Sequence, residues 1–182
     1  MAAQSAPADL GSIAPDFELP GACGQVWTRD AVLGPNGLLV MFVCNHCPYV
    51  QAVLDRIVRD ARELQAAGIG VVAISSNDTA AYPEDSFENM QRVWREKALP
   101  FPYLYDASQA VAHAYGAVCT PDFFGYNRDL ELQYRGRLDA SGRQAAPAGA
   151  KRELRDAMLL VASTGRGPGE QNASIGCSIK WK

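Results

Sequence analysis

The stretch Leu38-Leu39-Val40-Met41-Phe42-Val43-Cys44-Asn45-His46-Cys47-Pro48 constrains this chain more than any other. Residues 38–43 are apolar at every position, without alternation, and so read as an interior strand covered on both faces. After Pro48 the apolar residues Val50, Val53, Leu54, Ile57, Val58, Ala61 and Leu64 recur at helical spacing, while Asp55, Arg56, Arg59 and Arg62 take the other face. Gly68 supplies a C′ residue for that helix, and residues 69–74 form a second apolar, β-branched strand. Strand, helix and strand in this order predict a parallel pair joined by a right-handed crossover. The fold class is α/β, and two cysteines sit where its buried strand hands over to a helix.

At 182 residues the chain reads as a single domain over 1–182, large enough to bury a core without disulfides or metal. Residues 1–10 are rich in Ala, Ser and Pro and read as frayed and disordered. Phe17 and Leu19 alternate with polar neighbours, which predicts a short N-terminal strand paired with Val26-Trp27. Residues 75–79 make a polar loop at the edge of the sheet where ligands meet open α/β folds. An inserted helix is predicted over 83–97, with Phe87, Met90 and Trp94 on one face. Residues 103–105 read as extended, and Asp106 or Ser108 caps a short helix ending at Gly116. Residues 118–126 and 130–138 read as a hairpin turning at 127–129, and residues 151–164 as an amphipathic helix. The tail, 165–182, turns apolar at Ile175, Cys177, Ile179 and Trp181 and is expected to pack on the domain. Phe124 and Tyr126 read as core.

Net charge is −3 and no Lys/Arg cluster stands out, so nucleic acid and anionic membrane are not expected partners. No apolar run reaches transmembrane length, and residues 1–10 lack the basic and apolar regions of a secretory signal. The expected setting is cytoplasmic. The cysteines are Cys23, Cys44, Cys47, Cys119 and Cys177, an odd and sparse set with one close pair. That pattern points to catalysis or metal binding rather than to a secreted disulfide framework.

Two cysteines separated by two residues can close a disulfide at a helix start, with Cys44 at or near the N-cap and Cys47 one turn inside. Free N–H groups and the partial positive charge of a helix N-terminus favour a thiolate. A thiol with a pKa of about 8.5 is only about 3% ionised at pH 7, whereas one near 6.5 is about three-quarters ionised. Cys44, taken as the exposed member, is the expected nucleophile and Cys47 the resolving thiol. His46 between them can bear positive charge and favour the reduced form. Pro48 sits in the first turn, where its missing N–H costs nothing. The competing reading is half of a zinc site, which needs two further ligands where Cys23, Cys119, Cys177 and His113 all stand isolated.

Strand–Cys-x-x-Cys–helix–strand, followed by Thr120-Pro121 and a hairpin, resembles the thioredoxin fold, a mixed central sheet flanked by helices. Gly11, Ala14-Pro15-Asp16-Phe17 and Leu19-Pro20 resemble the N-terminal β extension of the redoxin and alkyl-hydroperoxide-reductase (AhpC/TSA) branch. Cys44-Asn45-His46-Cys47-Pro48-Tyr49, Cys119-Thr120-Pro121-Asp122-Phe123 and Gly176-Cys177-Ser178-Ile179-Lys180-Trp181 are similar to a little-characterised bacterial subgroup. The resemblance implies a cis Thr120-Pro121 bond packed on the dithiol, with backbone that pairs with substrate. Two departures stand out: Val43 replaces the usual tryptophan, and residues 38–43 lack the buried acid that takes the proton of the second cysteine.

The expected activity is thiol–disulfide exchange on protein or small-molecule disulfides. No small cofactor or metal is needed, and electrons come from a partner dithiol protein. A peroxidase of the peroxiredoxin type is the alternative, although no Pro-x-x-x-Thr-x-x-Cys pattern precedes Cys44 or Cys47. A metal- or copper-handling module using Cys44, Cys47 and Cys119 or His46 is the third. Cys119 and Cys177 are candidate auxiliary thiols, each with a plainer reading as a packed side chain. Cys23 reads as incidental and His113 as a surface or core-edge residue. Arg137 and Asp139 read as a strand-end ion pair, and Asn77 and Asp78 as capping and turn residues.

Overall fold

The computed structural model describes residues 2–182. In chain order its elements are β1 (Ala2–Gln4), β2 (Glu18–Pro20), β3 (Val26–Thr28), α1 (Arg29–Val32), β4 (Gly37–Phe42), α2 (Pro48–Ala66) and β5 (Ile69–Ser75). A 3-10 turn (Pro83–Asp85), α3 (Phe87–Glu96), β6 (Tyr103–Tyr105), α4 (Ala110–Tyr115) and β7 (Cys119–Thr120) follow. β8 (Asp122–Tyr126), β9 (Leu132–Gly136), α5 (Glu153–Thr164) and β10 (Ile175–Ser178) complete the chain.

The apolar run forms β4, buried along its whole length at the centre of a five-stranded sheet of order β6-β5-β4-β8-β9. β4, β5 and β6 are parallel, whereas β8 and β9 return antiparallel as the hairpin. Alternation along β4 splits the interior in two, because successive side chains point to opposite faces. Leu39 and Met41 pack with Val50, Val53 and Ile57 of α2 and with Met158 and Val161 of α5. Leu38, Val40 and Phe42 pack with Phe17, Leu19, Tyr115 and Phe124 on the other side. Burying each such side chain contributes about 1.5–3 kcal/mol. No helix among the described residues is long and apolar enough to cross a membrane.

The sequence differs from the structure at its two ends. Residues 1–10 were expected to be frayed, but Ala2–Gln4 is a strand paired antiparallel with β10, Ala2 lying opposite Cys177. β10 in turn pairs with β7, so the tail is the middle strand of a second, three-stranded sheet. The helix expected over 83–97 starts only at Phe87, where Ser86 Oγ accepts from the Asn89 N–H at 3.3 Å. Pro83–Asp85 is a separate 3-10 turn. Its last residue, Asp85, is fully buried and turned toward the start of α2, which sets this turn apart from the helix. α5 begins at Glu153 rather than at Lys151, and the Arg152 guanidinium just before it reaches Asp60 and Glu63 of α2.

Candidate active site

The chain leaves the sheet only after Val43, whose N–H still donates to the Ile74 carbonyl at 2.9 Å. The next turn is held from outside. Both the Asn45 and His46 N–H groups donate to Asp85 Oδ1, at 2.7 and 3.1 Å. The helix therefore starts late, with Pro48 at its first position and Cys47, in extended backbone, as its N-cap. This corrects the sequence expectation, which put Cys44 at the cap and Cys47 a turn inside. Exposure differs too: Cys44 is 2% exposed rather than open to solvent, and Cys47 is 0% exposed.

Several groups bear on Cys47. The Cys44, Cys177 and Thr120 side chains and the Val50 backbone all favour its thiolate. In the thiol form Cys47 Sγ donates to the Thr120 carbonyl at 3.2 Å. The Cys44 hydrogen bond is the largest influence and outweighs burial, so the Cys47 pKa falls to about 4. Cys44 is pushed far up, first by that same hydrogen bond, then by burial and by the negative charge of Asp85. The reduced pair thus shares one proton.

Thr120 touches both sulfurs, since its Oγ1 lies 3.5 Å from Cys44 Sγ. The Thr120-Pro121 bond is cis, as the resemblance implied. β4 itself carries no acid, but the 3-10 turn brings the buried Asp85 beside Cys44. Its Oδ2 accepts from His46 Nδ1 at 2.5 Å and from Asn77 Nδ2 at 2.7 Å. The His46 ring is stacked on Tyr82, with centroids 5.4 Å apart and planes at 7°. Cys44 Sγ, a His46 ring nitrogen and an Asp85 oxygen lie within 4.8 Å of one another, the one such grouping of three potential metal ligands among the described residues. Two of the three, His46 and Asp85, are already bonded to each other through Nδ1 and Oδ2.

The AhpC/TSA family matches residues 10–139. The chain belongs to that family. An uncharacterized conserved protein from Geobacillus kaustophilus is 44% identical, with TM-score 0.94 over 100% of this chain and 97% of that one. A hypothetical protein from Sinorhizobium meliloti 1021 is 40% identical, with TM-score 0.89 over 98% of each chain. The peroxidoxin BcpB of Mycobacterium tuberculosis is 17% identical, with TM-score 0.63 over 87% of this chain and 98% of that one. The last likeness shows the thioredoxin fold. No curated protein matches.

The remaining candidates in this AhpC/TSA chain divide clearly. Cys119 is fully buried, and desolvation holds its thiol neutral. Cys23 accepts from Trp27 Nε1 at 3.3 Å, in the hairpin of β2 and β3. His113 stacks on Trp181. Arg137 pairs with Glu153 at 2.8 Å and Asp139 with Arg56 at 3.4 Å, so the expected partnership between the two is not made. Asp78 Oδ1 does cap a turn, accepting from the Ala80 N–H. Asn77 does more than cap, because its amide joins Asp85 to the Lys180 N–H of the tail. Asp85 was missed in the sequence, where it reads as one more acid in a helical first turn. The one available signal was Pro83 and Ser86 flanking it, both residues that start helices.

Proposed function

We propose that this protein is a thiol–disulfide oxidoreductase with Cys44 and Cys47 as its working pair. The observation that carries the reading is the place of Cys47 at the N-cap of α2, with Thr120 in contact with its sulfur and with that of Cys44. The sequence alone gave the attack to Cys44; the stabilised thiolate supports Cys47 as the attacking sulfur. Its thiolate forms a bond to one sulfur of a client disulfide, and the other client sulfur leaves as a thiolate. Cys44 then gives up its proton and attacks Cys47 Sγ, closing Cys44–Cys47 and releasing the second client thiol. Two electrons pass to the client, and a partner dithiol restores the pair. The His46–Asp85 pair beside Cys44 supplies the polar route for its proton. Thr120 and cis Pro121 bound the sulfurs on the remaining side, and Pro48 fixes the first turn.

The test is a glutathione redox titration read by mass spectrometry under non-reducing conditions. Wild type should lose two thiols together and become two hydrogens lighter, with Cys44–Cys47 the first bond closed within residues 30–56, whereas Cys44→Ser combined with Cys177→Ser should hold one glutathione on Cys47. A wild-type protein that never closes Cys44–Cys47 would overturn the reading.

The family membership and the position of Cys47 at a helix cap favour a second reading, a thiol peroxidase. Here the Cys47 thiolate takes the terminal hydroperoxide oxygen, the alcohol leaves, and Cys44 condenses with the resulting sulfenic acid to release water. Stopped-flow mixing with hydrogen peroxide separates the two. Oxidation of Cys47 far faster than that of a free thiol selects the peroxidase.

A further inference from the structure

β10 lies on the strand that touches both sulfurs. Cys177 is paired in register with Thr120, and Ser178 with Cys119. Residue 176 must be glycine for this approach, because a Cβ there would stand 2.0 Å from the Thr120 carbonyl oxygen. The tail is then anchored beyond the site. The Lys180 N–H donates to Asn77 Oδ1 at 2.9 Å, and the Lys180 carbonyl accepts from the Asp78 N–H at 2.8 Å. The Cys177 side chain packs against the core cluster that contains Cys44 and Cys47. It stands opposite Thr120, whose carbonyl accepts from Cys47 Sγ at 3.2 Å, close enough that Cys47 and the Tyr49 backbone both bear on its ionisation. β10 thus occupies the edge of β7 and presents a sulfur to Cys47, the two things an extended client polypeptide would do.

We propose that Cys177 is a third redox thiol, which attacks Cys47 in the oxidised protein and moves the disulfide from Cys44–Cys47 to Cys47–Cys177. The step rests on the exchange reading given above, which supplies the oxidised pair. One S–S bond forms and one breaks. Cys177 gives up its proton and Cys44 recovers one, so no further oxidant or reductant is consumed. The electrostatics time the step. In the reduced protein Cys177 is raised to about 11 by burial, by its hydrogen bond to Cys47 and by the negative charge on Cys47. Closing Cys44–Cys47 removes the last two influences, while Lys180 and the Tyr49 N–H continue to favour the Cys177 thiolate. Oxidation of the pair therefore activates the thiol that relays it. The relayed bond ties the tail to α2 and keeps the β7 edge from a polypeptide partner, so the reductants suited to this state are small thiols, which open Cys47–Cys177 and leave as a disulfide.

The cysteines fall on separable tryptic peptides, with Cys44 and Cys47 on 30–56, Cys177 on 167–180, Cys119 on 98–128 and Cys23 on 1–29. Wild type, Cys44→Ser, Cys47→Ser and Gly176→Ala are equilibrated with oxidised glutathione, quenched by alkylation and mapped without reduction. A cross-link between 30–56 and 167–180 is expected in wild type, is expected to dominate in Cys44→Ser, and is lost in Cys47→Ser. Gly176→Ala should lower its yield with every thiol still present, and circular dichroism confirms that this variant is folded. The proposal is overturned if wild type closes Cys44–Cys47 while Cys44→Ser carries glutathione on Cys47 and no cross-link. A wild type that closes neither bond sinks the exchange reading instead.

Discussion

Asp85 serves four donors from a fully buried carboxylate: the N–H groups of Asn45 and His46, the His46 ring and the Asn77 amide. Asp85→Asn halves the acceptors and sets an NH2 group against donors, so it should cost about 1–3 kcal/mol in urea unfolding. It also removes a negative charge beside Cys44, which should move the alkylation of Cys44 to lower pH. Cys47 makes the complementary prediction. Its thiol is lowered from 9.0 to about 4 on folding, so between those values the unfolded chain binds a proton that the native one does not. The reduced protein should therefore gain stability as pH rises across this window, by up to ~1.4 kcal/mol per pH unit, and lose that gain as pH falls through 4. Denaturant melts of reduced wild type and Cys47→Ser over this range check the sign, since the variant should lack the slope. Cys44, Cys47 and Pro121 were legible in the sequence because their chemistry is local to a motif. Asp85 was not, because its partners Asn45 and His46 are some forty residues away and only the folded loop joins them.

Elements were legible where one periodicity decided them. β4 announced itself by having no polar residue, and α2 by an apolar stripe that the structure buries at Val50, Val53, Ile57, Ala61 and Leu64. Ile57→Ala, in the middle of that stripe, should cost about 2–5 kcal/mol, measured as a shift of the urea midpoint at unchanged slope. β1 and β10 were not legible as strands. Each is short, and each exists by pairing with a segment far away in sequence, Ala2 with Cys177 and Cys177 with Thr120. The tail did show apolar residues at Ile175, Cys177 and Ile179. Of these, Ile179 is the buried one, and its N–H donates to the Val118 carbonyl at 3.0 Å. Alternation over so few residues cannot name a partner. The boundary between the 3-10 turn and α3 was hidden for a different reason: Pro83, Glu84 and Asp85 are all good first-turn residues, and only the burial of Asp85 separates them from the helix.

At the scale of the molecule, the thioredoxin fold brings four chain segments to one pair of sulfurs: the end of β4, the turn before α3, the cis Pro121 strand and the tail. The motifs that carried the resemblance include three of them, the tail among these, and leave out only the turn before α3 that supplies Asp85. The arrangement also gives the protein an optical gauge of its own state. Trp181 lies at the far end of the tail, stacked on His113 with centroids 4.2 Å apart and planes at 17°. An imidazole in face contact quenches an indole, so emission from Trp181 is dim while the tail is seated and brightens when it lifts. Subtracting the spectrum of Trp181→Phe removes the light of Trp27 and Trp94 and leaves that one residue visible. Fluorescence followed in real time would then show whether the tail departs when a client arrives, with no label attached.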